Sequence, residues 1–141
     1  MGQYGARVLA EAVRPDLVVC VDATYEDGRQ GVVLGGGPVL TLSDASVLLG
    51  CRQRDRAIAF CQSLHLPLQT EVYNYSGTDA RAFPHAGLPA CVYPLLLPTE
   101  GNHTASETAN LADAAALVHL LRILCGDDAW RLFFDVGFAL E

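Results

Sequence analysis

Hydrophobic and polar positions alternate in blocks along this 141-residue chain, and the period of the pattern changes from block to block. Short continuous apolar runs at 17–23 ("LVVCVDA") and 89–97 ("PACVYPLLL") are typical of strands buried on both faces. The segment 66–74 ("LPLQTEVYN") alternates as a strand does. The segment 31–44 ("GVVLGGGPVLTLSD") predicts two short strands, or one strand broken by Gly35, Gly36 and Gly37.

Two helices are predicted in the first half of the chain. Residues 6–13 follow a helical pattern that must end before Pro15, because proline cannot continue a helix. Residues 52–64 place their apolar side chains on one helical stripe. The members of that stripe are Ala57, Ile58, Cys61 and Leu64.

Two further helices are predicted in the second half. A short one lies within 77–87, with Thr78 or Asp79 near its N-cap. The clearest helix follows Asn110, a good N-cap residue, and carries Asp113 in its first turn, where the helix dipole favours an acid. Its predicted buried stripe consists of Leu111, Ala114, Ala115, Val118, Leu121 and Cys125.

Strands that alternate with helices predict an α/β fold, a three-layer α/β/α sandwich around a mostly parallel mixed sheet. The chain has the length of one domain, and we expect residues 1–141 to form a single one. Its aromatic-rich tail, 127–141, predicts either a short packed helix or an edge element.

Charge and composition exclude several kinds of partner. The net charge is -7, from nine basic and 16 acidic residues, which disfavours nucleic acid and anionic membranes. The chain has no signal-peptide pattern and no run of eighteen apolar residues, so a cytoplasmic location is expected. Five cysteines without a C-x-x-C pair indicate reduced thiols.

Two familiar catalytic patterns are absent from the sequence. The glycines of 31–44 lack both G-K-[ST] and the G-x-G-x-x-G spacing, which favours a turn between strands over a phosphate-binding loop. No G-x-S-x-G motif is present, which argues against serine-hydrolase chemistry.

Asp22 and His103 are the best candidates for chemistry. Asp22 closes the first apolar run, and His103 lies in the loop "GNHTASE" that follows another. If these runs are neighbouring parallel strands, both side chains emerge at the same rim of the sheet, where ligands bind in open α/β sheets. A carboxylate and an imidazole from separate strand ends are a common part of a zinc site.

Plainer interpretations of the same residues stay open. A strand-end aspartate such as Asp22 often serves only as a turn or cap residue, and a loop histidine such as His103 is often simply solvated. A single-zinc site that adds Glu107 is a further alternative. We favour instead a capping box between Thr104 and Glu107.

Five segments occur along the chain in a fixed order. They are "RPDLVVCVDAT", "LGGGPVL", "YSGTDARAF", "AGLPACVYPLLLPTEGNHTASE" and "NLADAAALVHLL". Together they resemble the C-terminal half of the catalytic domain of the TET-like aminopeptidases, dinuclear metallopeptidases also described as deblocking or glutamyl aminopeptidases. The resemblance covers about residues 5–126. It implies an α/β/α sandwich, two zinc or cobalt ions at the rim of the sheet, and removal of N-terminal residues from peptides.

The resemblance also implies roles for individual residues. Asp22 matches a ligand of one metal ion, and His103 matches the late ligand of the other. Gly77, Thr78 and Asp79 match a loop that lies near the substrate. For Thr78 and Asp79 we favour the capping of a short helix.

Other parts of the family's site have no counterpart in this sequence. No two consecutive glutamates occur in the chain, and the family's glutamate pair would fall at or just before Met1. The early histidine and the bridging aspartate would lie further upstream. Gly101 and Asn102 stand where the family usually has a basic–aromatic pair.

A dinuclear site needs a carboxylate bridge to hold two cations around a shared water, and a base to accept a proton. We therefore expect this chain alone to bind metal weakly and to be inactive as a peptidase. A complementary chain would be needed for it to act on peptide N-termini. The alternative is a non-catalytic interaction protein that forms a homo-oligomer or binds a partner through uncovered apolar surface.

Overall fold

Helices cover both faces of a mixed five-stranded sheet. The structure is a computed structural model that describes residues 3–85, 87, 90–126 and 128–134. The strands are β1 (Leu17–Tyr25), β2 (Val39–Ser43), β3 (Gln69–Val72), β4 (Cys91–Glu100) and β5 (Thr108–Ala109). The helices are α1 (Tyr4–Val13), α2 (Cys51–Ser63), α3 (Ala82–His85), α4 (Leu111–Leu124) and α5 (Trp130–Phe133), and a 3₁₀ turn spans Asp79–Arg81. This is the predicted α/β sandwich.

The order of the strands in the sheet is β1-β4-β2-β3, and β5 pairs with the end of β4. β1 runs parallel to β4 over its whole length, from Leu17 opposite Cys91 to Tyr25 opposite Thr99. β2 is parallel to β3 and antiparallel to β4, which makes the sheet mixed. Because β1 and β4 are parallel neighbours, the loops that follow them leave the same rim of the sheet.

Successive residues of β4 point to opposite faces of the sheet, and each face has its own core. Tyr93 and Leu95 face α2, α4 and α5, whose buried side chains include Phe60, Leu120 and Phe133. Val92 faces α1 and α3 and packs with four smaller or aromatic side chains. These are Ala10, Ala80, Ala82 and Phe83.

β1 differs from the prediction of a strand buried on both faces. Among the described strands it pairs with β4 alone, so it forms an edge of the sheet. Val21 is 52% exposed, and Asp22 beside it is exposed as well. A continuous apolar run produces a buried strand only where other strands flank it and helices pack on both faces. β4 has both, since it lies between β1 and β2 and contributes to a core on each face of the sheet.

The predicted buried stripe of α4 is wrong. Leu111 is 86% exposed and Val118 is 56% exposed. The buried residues of the helix are instead Asp113, Leu117, Leu120 and Leu124. The helix is apolar around most of its circumference, so the sequence pattern left its rotation undetermined. The predicted N-cap is confirmed, because the Asn110 side chain accepts a hydrogen bond from the amide of Ala112 at 2.8 Å.

The rotation of α4 follows from one buried carboxylate. Asp113 is 1% exposed, and its two oxygens accept hydrogen bonds from the amides of Gly35 and Gly37, each at 2.7 Å. Both glycines have positive φ angles, 86° and 93°, which favour glycine. The glycine run is therefore a turn held by α4, and it leads into β2, the single named strand of segment 31–44.

The other helices lie close to the positions that the sequence pattern predicts. α1 ends at Val13 and α2 covers the predicted second helix. In the region of the short helix predicted within 77–87, the 3₁₀ turn leads into α3, which contains Pro84. In the tail, α5 packs Phe133 into the core, and residues 135–141 lie outside the described ranges. No helix within the described residues has the length and apolar character needed to cross a membrane.

Candidate functional site

A cleft of about 120 Å³ opens beside the carboxyl end of β1. Four consecutive residues of β1, from Asp22 to Tyr25, form one wall. Asn102 and His103 approach from the loop after β4. Leu96 of β4 also lines the cleft, and segments around β2 and β3 contribute Asp44, Glu71, Tyr73, Ser76, Gly77 and Thr78.

Asp22, on β1, and His103, in the loop after the parallel neighbour β4, both line this cleft. Asp22 is exposed, and its Oδ1 accepts a hydrogen bond from the amide of Ala23 at 2.8 Å. His103 is exposed and has a φ angle of 63°, in the left-handed region that few non-glycine residues adopt. The structure thus brings the two candidates into one cleft, and their role as metal ligands stays a prediction.

The loop that carries His103 is held by its own backbone and by Thr104. Gly101 has a φ angle of 73°, and a Cβ there would overlap the backbone oxygen of Ser106. The Thr104 hydroxyl lies 2.6 Å from the Gly101 oxygen and 2.9 Å from the Ser106 oxygen. Glycine is therefore the residue that fits position 101.

The predicted capping box between Thr104 and Glu107 is wrong. No helix begins at Thr104, and the short strand β5 follows this loop instead. The Glu107 carboxylate accepts a hydrogen bond from the Thr99 hydroxyl at 2.7 Å. Glu107 therefore fastens the loop to β4, and it is not among the described residues that line the cleft.

The predicted substrate-proximal loop lies partly in the cleft. Gly77 and Thr78 line it, whereas Asp79 is exposed in the first position of the 3₁₀ turn. The predicted capping role of Thr78 is confirmed, because its hydroxyl accepts a hydrogen bond from the amide of Ala80 at 3.3 Å. A Cβ at Gly77 would overlap the Ser46 hydroxyl, so the loop lies close against the segment after β2. Contact with a substrate stays a prediction.

Glu71 is a site residue that sequence reasoning missed. It is 5% exposed, and its carboxylate accepts hydrogen bonds from the hydroxyls of Thr41 (2.6 Å) and Thr24 (2.8 Å). Burial raises the pKa of Glu71, and the two threonine hydroxyls partly offset this effect. Val72, the apolar neighbour of Glu71 on β3, is 52% exposed, whereas Glu71 is buried. No signal in the sequence distinguishes the two.

Aromatic rings form a strip along the cleft. The ring centroids of His103 and Tyr25 are 6.2 Å apart, those of Tyr25 and Tyr73 are 5.4 Å apart, and those of Tyr73 and Tyr75 are 5.9 Å apart. Desolvation raises the pKa of Tyr73, and so do the nearby Tyr25 and the negative charges of Asp27 and Glu71. The mouth of the cleft is therefore both aromatic and electronegative.

The described residues do not form a complete metal centre. A zinc site needs three or four protein ligands, and the described part of the chain holds no group of three or more His, Cys, Asp or Glu residues that could hold an ion. Glu71 is occupied by its two threonine partners, and Asp44 accepts the amide of Val47 at 2.8 Å. The predicted ligands Asp22 and His103 thus lie in this cleft without the rest of a coordination shell among the described residues.

Comparison with known proteins relates this chain to one family. "Putative aminopeptidase" of Acetivibrio thermocellus is 27% identical over 128 residues, and "Putative aminopeptidase FrvX" of Escherichia coli (strain K12) is 30% identical over 130 residues. Each alignment covers 86% of this chain but only 38% and 36% of the respective relative. The chain therefore spans little more than a third of the length of the curated relatives it matches.

Structural similarity gives the same result. The TET1 peptidase of Pyrococcus horikoshii, described as able to assemble into a tetrahedron or a large octahedral shell, matches with a TM-score of 0.74 at 28% identity. That match covers 86% of this chain and 36% of the TET1 chain. The family model for the M42 glutamyl aminopeptidases matches residues 1–120. The chain belongs to the M42 glutamyl aminopeptidase family.

Proposed function

We propose that this chain supplies part of a metal-dependent aminopeptidase site and does not release N-terminal residues from peptides by itself. One observation carries the proposal. Asp22 and His103 line one cleft of an aminopeptidase-family fold, and the described residues offer no third ligand beside them. The remaining ligands and the general base would come from polypeptide outside this sequence.

The local structure supports this role for both residues. The amide of Ala23 hydrogen-bonds one oxygen of Asp22, and the side chain is exposed. Asp22 lies within β1, which continues to Tyr25, and not at the end of the strand as the sequence pattern predicted. The left-handed backbone at His103 is sparsely populated for residues other than glycine, and such conformations concentrate at functional sites. Zinc and cobalt accept both a carboxylate oxygen and an imidazole nitrogen as ligands.

A chimera tests the proposal. Residues 1–126 of this chain would replace the matched region of the Acetivibrio thermocellus relative, so that the rest of that protein completes the site. We expect the chimera to hydrolyse aminoacyl p-nitroanilides with added zinc or cobalt. Asp22→Ala and His103→Ala should each lower kcat/KM by about 100-fold or more, because each removes a direct ligand.

Matched control variants separate a lost ligand from a disturbed fold. Asp16→Ala and His119→Ala change the same residue types at exposed positions that do not line the cleft, and both should leave kcat/KM unchanged. A folded, active chimera that keeps full activity in the Asp22→Ala and His103→Ala variants would refute the proposed roles of these residues.

A second candidate function is non-catalytic self-association. Four apolar residues of α1 are more than half exposed, and β1 presents an unpaired edge among the described strands. The exposed residues are Tyr4, Val8, Leu9 and Val13. Apolar surface of this kind is commonly covered in an assembly. Sedimentation velocity of the chain should reveal a homo-oligomer, and a strict monomer would exclude this function.

A further inference from the structure

Glu71 joins three strands of the sheet through hydrogen bonds of its side chain. Among the described strands, β1 pairs with β4 alone, and β4 and β2 separate it from β3. Glu71 lies on β3, yet its carboxylate accepts hydrogen bonds from the Thr24 hydroxyl of β1, at 2.8 Å, and from the Thr41 hydroxyl of β2, at 2.6 Å. The side chain therefore connects β1 to strands with which it does not pair in the described sheet.

These hydrogen bonds are largely shielded from water. Glu71 is 5% exposed, Thr24 is 4% exposed and Thr41 is fully buried. A buried polar group that loses its partner has no water to replace that partner, so such bonds are costly to break. The connection between β1 and the two distant strands is therefore rigid.

The connection meets β1 close to Asp22. Side chains two residues apart on a strand point to the same face, so Thr24 and Asp22 share the face that lines the cleft. Packing does little to hold Asp22 itself, because it is exposed and Val21 beside it is 52% exposed. Thr24 is therefore the buried anchor nearest to Asp22 on that face of β1.

The same threonine is linked to the loop of His103. The Thr99 hydroxyl of β4 lies 3.2 Å from the backbone oxygen of Thr24 and 2.7 Å from the Glu107 carboxylate. Glu107 follows His103 in the loop after β4. A polar network, Glu71–Thr24–Thr99–Glu107, thus runs from β3 by way of β1 to the segment that carries His103.

We propose that Glu71 is a positioning residue, which holds Asp22 at a fixed separation from His103 because it fastens β1 through Thr24. Both oxygens of Glu71 are occupied by threonine hydroxyls, so it is given no role as a metal ligand. The inference rests on the proposed function, because the separation matters only where both residues serve one site. A displacement of a functional group by roughly 1 Å can lower a rate by about 100-fold, so a loose β1 would be costly.

Amide hydrogen exchange in the isolated chain tests the fastening without any need for metal or catalysis. The Glu26 amide, two residues after Thr24, donates to the Thr99 oxygen at 2.8 Å and reports the opening of this end of β1. The Gln69 amide donates to the Pro38 oxygen at 2.8 Å and reports opening elsewhere in the sheet. Thr24→Val keeps the shape of the side chain and removes the hydroxyl. It should raise the exchange rate of Glu26 by about three- to tenfold relative to that of Gln69.

Three further variants separate positioning from a general loss of stability. Glu71→Met, which has a similar length and no carboxylate, should change the exchange ratio as Thr24→Val does. Glu71→Gln should restore the wild-type ratio, because a threonine hydroxyl can donate to the amide oxygen or accept from the amide nitrogen. Thr41→Val is the matched control, since it removes a buried hydroxyl that bonds the same carboxylate but lies on β2. It should change the ratio by less than about twofold.

The active chimera shows whether the fastening matters for the site. Thr24→Val and Glu71→Met should raise the zinc concentration that gives half-maximal activity by about tenfold or more, as the loss of a group that orients a ligand does. Glu71→Gln and Thr41→Val should both stay within about threefold of the unsubstituted chimera. A general loss of stability would not distinguish the two threonine variants.

Three results would overturn the inference. These are equal changes in the exchange ratio for Thr24→Val and Thr41→Val, failure of Glu71→Gln to restore the ratio, or an unchanged zinc dependence of the chimera with Thr24→Val. Each can occur while the chimera stays active and dependent on Asp22 and His103, so failure of the positioning role is distinguishable from failure of the proposed function. A chimera that keeps full activity in Asp22→Ala would overturn both.

Discussion

Replacement of Asp113 by asparagine is the sharpest test of how the fold positions the cleft. The carboxylate is 1% exposed, and each of its oxygens accepts one amide, from Gly35 and from Gly37, at 2.7 Å. These bonds join the first turn of α4 to the loop that leads into β2. Asparagine has nearly the same shape, but only one of its two terminal groups can accept a hydrogen bond.

The cost of Asp113→Asn can be worked from this geometry. A hydrogen bond to a charged group contributes about 1.5–3 kcal/mol, and a buried donor left without a partner costs about 1–3 kcal/mol more. The asparagine NH₂ would face one of the two glycine amides, so one bond is lost and one buried donor is orphaned. We expect a loss of about 3–5 kcal/mol, a large part of the roughly 5–15 kcal/mol that stabilises a typical domain.

Urea denaturation at pH 7 measures this loss. The single tryptophan, Trp130, lies on α5 beside the core and gives a fluorescence signal, which far-UV circular dichroism can verify. Asp55→Asn is the matched control, since the Asp55 side chain is 63% exposed and pairs with Arg54 at the surface. It should change stability by less than about 1 kcal/mol. A loss below about 1 kcal/mol for Asp113→Asn, with an unchanged denaturant slope, would refute the stabilising role of the two hydrogen bonds that Asp113 accepts.

Two further predictions concern the walls of the cleft. Folding raises the pKa of Glu71 above its ordinary value of 4.5, because the buried carboxyl group binds a proton more tightly than it does in the unfolded chain. The protonated carboxyl group therefore stabilises the fold below pH 4.5, and this stabilisation is lost as the pH rises through the raised pKa. Urea midpoints measured from pH 4 to 7 should therefore fall more steeply in the wild type than in Glu71→Gln, and parallel curves would contradict the burial effect. Gly101→Ala should cost about 1–3 kcal/mol, because φ is 73° and the new Cβ would overlap the Ser106 oxygen. Gly28→Ala is the control, because a Cβ at position 28 would have no atom within 4 Å and φ there is not positive. It should leave the urea midpoint nearly unchanged. Equal losses of stability in both variants would contradict this account of the loop.

Much of the architecture could be predicted because local signals agreed with the tertiary structure. The stop before Pro15, the caps at Thr78 and Asn110, and the apolar run of β4 depend on neighbouring residues, and the structure places each near its predicted position. The parallel pairing of β1 with β4 needed an assumption about topology, and that assumption holds.

The errors arose where the answer depends on distant residues. β1 carries the apolar run of a central strand but lies at an edge of the described sheet, which its sequence cannot reveal. The rotation of α4 depends on Asp113, whose partners lie 76 and 78 residues earlier in the chain. The burial of Glu71 depends on threonines of two other strands, and its own segment of the sequence does not reveal them.

An aminopeptidase assay of the isolated chain with added zinc or cobalt tests the central claim most directly. The active chimera would be the positive control, and buffer with metal would set the background. The account predicts no turnover above background, because Asp22 and His103 alone do not complete a coordination shell. Robust metal-dependent turnover by this chain alone would contradict it.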